Sequence, residues 1–240
     1  MVTSPADRAG SPPGGGLRRG SVRLLGPGDL DRAATLLARA FAHDPVLTAA
    51  FPDAVAAQRY AQAQLRRDVR AALPYAASYG IEVEGQLGGV AIWHPPGTAP
   101  RSLGAQLRFA GDLLLQARAA VPATVRLTRT FSRDAGALTR LLLGRRRALR
   151  RAEAPPCAYL ALLATDPALR GRGLARQLLE HVLHRCDEDG VAVWLETTDP
   201  VNLGLYARFG FVTVVELRGG STLPNLWLLR REAWGHQDGW

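Results

Sequence analysis

Thr165-Asp166-Pro167-Ala168-Leu169-Arg170-Gly171-Arg172-Gly173-Leu174-Ala175 is the stretch that decides the fold. An apolar run from Tyr159 to Ala164 leads into it. An amphipathic pattern, with Leu178, Leu179, Val182 and Leu183 on one face, leads out. A glycine-rich turn therefore joins a buried strand to the start of a helix. Main-chain N–H groups at such a start have no partner within the helix, and the helix dipole adds partial positive charge there. The combination suits a diphosphate. Gly171 and Gly173 carry no Cβ, so the backbone can approach the phosphates closely.

The 240 residues allow one domain with a sizeable core, and 47% are apolar. Met1 to Gly20 contains Pro12, Pro13 and three consecutive glycines but no apolar run. It reads as a disordered tail rather than a signal peptide. Residues 21–231 read as one domain and 232–240 as a C-terminal tail. No run is long enough to span a membrane. Two cysteines, Cys157 and Cys186, do not make a disulfide framework, and a reducing cytoplasm is the expected compartment. No Cys/His spacing suggests a metal site.

The net charge is +9, and every basic residue is arginine, a bias that codon usage in a GC-rich genome explains. Its placement is more telling. Twelve arginines lie between Arg101 and Arg151, opposed only by Asp112 and Asp134, so this segment's +10 exceeds the charge of the whole chain. The segment reads as helical, split near Pro122. Arg126, Arg129, Arg133, Arg140, Arg147 and Arg151 fall on nearly the opposite face from Leu127, Phe131, Leu138, Leu142 and Leu149. A solvated face is one reading. The other is a contact surface for a nucleic acid or another polyanion, which would neutralise the self-repulsion.

Elsewhere, Ser21 to Leu25 reads as a strand. Asp29 reads as the cap of a helix running to about Phe41, and a second helix covers Asp53 to Leu73. Ile81–Glu84 and Val90–Trp93 alternate as a hairpin around Gly85–Gly89, ended by His94-Pro95-Pro96-Gly97. Strand 157–165, a helix to about Glu188, strand 191–196, a short helix 202–208 and strands 211–217 and 226–229 follow. The alternation predicts an α/β (α+β) domain, a mixed sheet with helices on its faces.

Three further blocks follow the glycine turn in order: Leu195-Glu196-Thr197, then Pro200-Val201-Asn202, then Tyr206 through Gly210-Phe211. With them the chain resembles the GNAT acyltransferase superfamily. Arg170-x-x-Gly173-x-Ala175 is similar to its pyrophosphate loop, and Asn202, Tyr206, Gly210 and Phe211 are similar to its closing motif. The Leu-Glu-Thr strand end, the Asn-to-Tyr spacing and Phe41-Ala42-His43-Asp44-Pro45 resemble the puromycin N-acetyltransferase branch. The likeness is specific over about 155–217, loose over 21–97 and poor over 101–151. Thr165 stands where many relatives carry valine, at a position where the backbone does the work.

The resemblance implies a mostly antiparallel GNAT sheet with an Arg-rich helical insertion at about 100–151, and acetyl-coenzyme A (or another acyl-CoA) as donor. It implies that Arg170, Gly171, Arg172, Gly173, Leu174 and Ala175 hold the pyrophosphate. The backbone at Leu163 and Thr165 would bind the pantetheine arm and polarise the acyl carbonyl, and Asn202 would contact pantetheine. Tyr206 would protonate the departing thiolate, and Glu196 would accept the amine proton. Such roles suit the chemistry. An O–H donor stabilises a leaving thiolate, and positioning does most of the rest. Phe41, Asp44, Trp93 and His94 fall where the fold places acceptor contacts. They also read as a helix terminus, a core tryptophan and a hairpin-end histidine, and Glu196 as a solvated strand-end carboxylate. The acceptor implied is a primary amine on a small molecule, an antibiotic or a secondary-metabolite intermediate. Two alternatives stay open: aminoacyl-tRNA as donor, gripped by the 126–151 arginines, and a non-catalytic acyl-CoA-binding protein.

Overall fold

The computed structural model describes residues 20–44, 47–48, 53–98, 143–144, 147, 157–219 and 224–235. The tail 1–19, most of the arginine-rich segment and residues 236–240 lie outside these. So do Arg126, Arg129, Arg133, Arg140 and Arg151. Arg147 is described, and it is exposed.

Among the described residues, seven strands form one sheet: β1 (Ser21–Leu24), β2 (Tyr79–Val83), β3 (Gln86–His94), β4 (Ala158–Thr165), β5 (Val193–Thr197), β6 (Val212–Leu217) and β7 (Leu226–Arg231). Their order is β1-β2-β3-β4-β5-β7-β6. Only β4 and β5 run parallel; the other neighbours are antiparallel. This is the mixed, mostly antiparallel sheet flanked by helices expected from the sequence.

Helices α1 (Leu30–Ala40) and α2 (Ala54–Ala72) cover one face. They bury Leu36, Leu37, Leu65 and Val69 against Val90, Ile92 and Ala164. Helix α3 (Leu174–Glu188) covers the other face, with Leu178, Leu179, Val182 and Leu183 packed on Ile81, Ala91, Trp93 and Leu160. A short helix, α4 (Leu203–Ala207), follows β5. Gly190, at φ +66°, ends α3, and the Val191 N–H returns to the Cys186 carbonyl.

Two details differ from the sequence reading. The hairpin turn is Glu84-Gly85 alone, both at positive φ, and β3 begins at Gln86 rather than Val90. Gly88 and Gly89 are thus inside the strand, where periodicity could not place them, because glycine contributes nothing to an apolar count. Asp29 does not cap α1. Its carboxylate accepts two hydrogen bonds from Arg23, at 2.7 and 2.8 Å, and one from the Gly26 N–H. These bonds hold it well below the usual carboxylate range, at about 2, with Arg23 the largest cause. The ion pair outcompetes the cap because Arg23 arrives from the neighbouring strand with a bidentate fork.

Candidate active site

The sheet is split where the glycine loop begins. Strands β4 and β5 pair only from Ala158↔Val193 to Leu160↔Leu195. Beyond Leu160 the β5-facing edge of β4 has no ladder partner among the described residues. The split starts at a β-bulge. Ile92 pairs with Leu162 and Trp93 with Leu160, so Ala161 is the extra residue. The bulge shifts the pleat. Leu160 packs towards α3, Ala161 and Leu162 both pack towards α1 and α2, and Leu163 packs towards α3 again. Leu163 and Thr165 therefore lie on the unpaired stretch.

The loop after β4 is fastened at its start and open at its end. The Asp166 N–H donates to the Gly88 carbonyl at 2.8 Å, and the Asp166 carboxylate accepts from the Ala168 N–H and from Arg39 of α1. The Ala168 N–H and then Arg39 hold that carboxyl below its ordinary range. Gly88 is required for this closeness: a Cβ there would come within 3.2 Å of Leu169 and Leu174. Gly171 and Gly173 sit at φ +79° and +73°, in the left-handed region that favours glycine. A Cβ on either would meet no protein atom within 4 Å, so the loop presents an open side. The first α3 bond from this loop runs from the Gln177 N–H to the Gly173 carbonyl. Among the described residues, the six N–H groups from Gly171 to Arg176 have no protein acceptor.

These amides border a cavity of about 830 Å³ that runs along the exposed side of α3 to α4. Thr165, Arg170, Gly171, Gly173, Leu174 and Ala175 line it, together with Arg176, Arg208 and Arg231. Its charges are partly spoken for. Arg176 pairs with Glu180, and Arg231 makes a bidentate pair with Asp187 at 2.7 Å. Arg170 and Arg172 are exposed. The residues present thus fit a diphosphate: free amides, a helix start, and a cavity of the size a nucleotide ligand needs.

Tyr206 of α4 is 8% exposed, with its ring edge-to-face on Phe211. Burial pushes its phenol up to about 12, so it stays protonated at neutral pH. The Asn202 amide donates to the Thr197 hydroxyl at 3.5 Å, which ties it to the end of β5. Glu196 is half-buried in β5, opposite Leu228. Asn202, Tyr206, Glu196 and Leu163 do not line the α3 cavity; they belong to the elements on either side of the split.

A second cavity, about 210 Å³, opens on the α1/α2 face. It brings together Phe41 and Asp44, both singled out from sequence, with Tyr60, Gln64 and Asp68 of α2 and Leu162 of β4. The structure does not bring Trp93 or His94 to either cavity. Trp93 is 1% exposed in the core. His94 is buried between Tyr75 and Tyr159, where burial lowers its pKa. Among the described residues, no group of His, Cys, Asp and Glu could hold a metal ion, and no helix is long and apolar enough to cross a membrane.

Sequence reasoning missed Asp68, Tyr60 and Arg39. The signal for Asp68 was present: it interrupts the apolar stripe Tyr60, Ala61, Leu65 and Val69 that α2 turns to the core. Arg39 had no local signal, because its partner lies 127 residues away.

Comparison with known proteins agrees with this geometry. Residues 134–211 match the Acetyltransferase (GNAT) family. An uncharacterised N-acetyltransferase of Schizosaccharomyces pombe is 33% identical over 54 residues, a match that spans 22% of this chain and 22% of that relative. Among solved structures, a Drosophila melanogaster polyamine N-acetyltransferase superposes with a TM-score of 0.58 at 20% identity, covering 88% of this chain and 99% of its own. An Aedes aegypti arylalkylamine N-acetyltransferase gives 0.58 at 14%, covering 89% and 98%. The Corynebacterium glutamicum histone acetyltransferase HPA2 and related acetyltransferase gives 0.56 at 21%, covering 90% and 97%. Split sheet, amide-rich loop and overall superposition together give this chain the fold of the GNAT acetyltransferases.

Proposed function

We propose that the protein is an acyl-CoA-dependent N-acyltransferase that moves an acetyl group from acetyl-coenzyme A to a primary amine of a small molecule. The observation that carries this reading is the run of six acceptor-free amides from Gly171 to Arg176, set beside the split between β4 and β5. The loop Arg170–Ala175 would hold the diphosphate. The unpaired edge of β4 near Leu163 and Thr165, with Asn202, would seat the pantetheine arm and point the thioester carbonyl at the acceptor. The amine nitrogen forms a bond to the carbonyl carbon, and the carbon–sulfur bond breaks. Glu196 takes the amine proton through water, and Tyr206 gives a proton to the thiolate. The high phenol pKa supports the second role, since the group is still protonated when needed.

The likeness to the puromycin N-acetyltransferase branch favours an antibiotic or a secondary-metabolite intermediate as acceptor. A cytoplasmic setting fits Cys157 and Cys186, both buried thiols. Calorimetric titration of the full chain with acetyl-coenzyme A tests the reading: micromolar binding is expected, and none at millimolar ligand would overturn it.

A second reading rests on the uncompensated +10 between Arg101 and Arg151. There the donor is an aminoacyl-tRNA, gripped by that segment, and binding weakens steeply with salt. Activity that needs only acetyl-coenzyme A and survives ribonuclease removes it. A non-catalytic acyl-CoA-binding role is removed if Tyr206→Phe abolishes turnover.

A further inference from the structure

We infer that Arg231, the last residue of β7, is a positioning residue for Tyr206: its guanidinium, pinned to Asp187 of α3, holds the turn that closes α4 and so fixes the phenol. This rests on the transferase reading, in which that phenol is the proton donor.

Helix α4 has five residues, too few to be stable by itself. Its order comes from the turn behind it. The Tyr206 carbonyl accepts from the Phe209 N–H at 2.9 Å and from the Phe211 N–H at 3.2 Å, and the Phe211 ring lies edge-to-face on the phenol ring. The Phe209 carbonyl accepts from Arg231 Nε at 2.8 Å. Both Nη atoms of the same guanidinium donate to the Asp187 carboxylate, each at 2.7 Å. The Trp234 N–H donates to that carboxylate as well, at 2.7 Å, and the Trp234 indole lies over Gly210, where a Cβ would meet Nε1 at 3.1 Å. The first residues after β7 thus close over the turn.

The Arg231 side chain is only 5% exposed. A buried ion pair is weak evidence for stability, because apolar residues of similar volume often serve the fold as well. What an apolar side chain cannot do is donate to the Phe209 carbonyl. With two nitrogens fixed on α3, the planar guanidinium can aim Nε in one direction only. One side chain therefore ties α3, whose first amides face the proposed diphosphate site, to the turn behind the phenol. Such placement matters to the chemistry, since a misplacement of about 1 Å can cost about 10²-fold in rate.

The test is a double-mutant cycle on the full chain. The reaction followed is release of the coenzyme A thiol from acetyl-coenzyme A with hydroxylamine, a small nucleophile that needs no dedicated acceptor pocket, over the enzyme-free rate. Arg231→Lys keeps a charge beside Asp187 but cannot reproduce the planar fork. It should lower kcat at least about tenfold in the parent and less than about twofold in a Tyr206→Phe background. Equal losses in both backgrounds would mean a merely structural role and overturn the inference. So would a raised donor KM with kcat unchanged, which would assign Arg231 to the cavity it lines. Arg231→Met combined with Asp187→Leu replaces the pair by apolar side chains and guards against a misfolded single variant; parental kcat there also overturns the inference. Hydrogen exchange reads the brace without turnover. In both variants the amides of 203–211 should exchange at least about tenfold faster, with β2 and β3 unchanged; unaltered exchange at 203–211 refutes the brace. Absence of thiol release by the parent counts against the transferase reading, while the exchange result still reports on Arg231.

Discussion

Arg39, in the last turn of α1, forms an ion pair with Asp166, the residue between β4 and the glycine loop. The pair ties the helix that leads to Phe41 and Asp44 to the loop proposed to hold the donor. Asp166 also caps the short turn that follows it, through the Ala168 N–H, and reaches Gly88 of β3 through its own N–H. One residue thus connects the elements behind both cavities.

Arg39→Ala should cost less than about 1 kcal/mol of stability, because the arginine is half exposed and such pairs are weak. The functional cost should be larger. The KM for acetyl-coenzyme A is expected to rise roughly 3- to 10-fold with kcat little changed, the pattern of lost positioning. The Asp166 carboxyl is depressed in the folded state, so the stability it contributes is present at neutral pH and lost as pH falls through the carboxylate range. Steady-state kinetics with an unchanged KM would remove Arg39 from this role.

How much of this was legible in the chain follows from the range of each interaction. The strand–loop–helix at 158–188 was readable because its signals are local: an apolar run, two glycines at positive φ, and a 3.6-residue stripe. The split has no local signature, since nothing in the spacing of β4 and β5 says where their pairing stops. The Ala161 bulge has no signature in an all-apolar strand. Asp29 was misread because its partner, Arg23, lies on a strand, and a capping motif carries no information about that. Trp93 and His94 read both as acceptor contacts, from the resemblance, and as a core tryptophan and a hairpin-end histidine, and the second reading holds for Trp93. Their burial is decided by α3 and by Tyr159, which a local reading does not bring to them.

Gly173→Ala tests the loop. The left-handed backbone at φ +73° costs an alanine about 1–2 kcal/mol, with no clash to add because no protein atom lies within 4 Å of the new Cβ. The melting temperature should fall by a few degrees. Donor affinity should fall more, at least about tenfold, since the new methyl projects into the open side proposed for the phosphates. Calorimetry compared with thermal melts separates the two effects. Equal, small losses in both would mean that the open side faces only solvent.

Tyr206→Phe tests the proton donor. No protein group hydrogen-bonds to the Tyr206 hydroxyl among the described residues, so its loss should leave stability within about 1 kcal/mol of the parent. Turnover should drop by roughly 10²-fold or more, with the donor KM almost unchanged. In the parent enzyme the phenol, at about 12, should impose no alkaline limb on kcat below about pH 11. A Tyr206→Phe protein with parental kcat would end the assignment.

Asp68 makes an opposite prediction for stability. Its carboxyl is raised to about 6 in the fold from 3.8, so the folded state binds the proton more tightly than the unfolded chain. Below about pH 4 both states are protonated and nothing is lost; the penalty on the folded state builds as pH rises from about 4 to 6 and is full above that, very roughly 3 kcal/mol. Asp68→Asn should therefore melt higher than the parent at pH 7.5 and about equally at pH 4. Denaturant titrations across that pH range check this, and a variant less stable at pH 7.5 would contradict it.

The arginine-rich segment separates the two donors. Replacing Arg133, Arg140 and Arg147 by glutamate changes its charge by six units, from +10 to +4. If the donor is acetyl-coenzyme A, bound through main-chain amides more than 20 residues further along the chain, kcat/KM should change by less than about threefold. If the donor is a charged tRNA, six charge units removed from its phosphate contacts should lower activity by orders of magnitude and flatten the salt dependence. The amides at Gly171–Arg176 favour the first outcome. A steep loss in acetyl-transfer assays free of nucleic acid would show instead that this segment works on the acceptor, because a coenzyme has too few phosphates to engage twelve arginines.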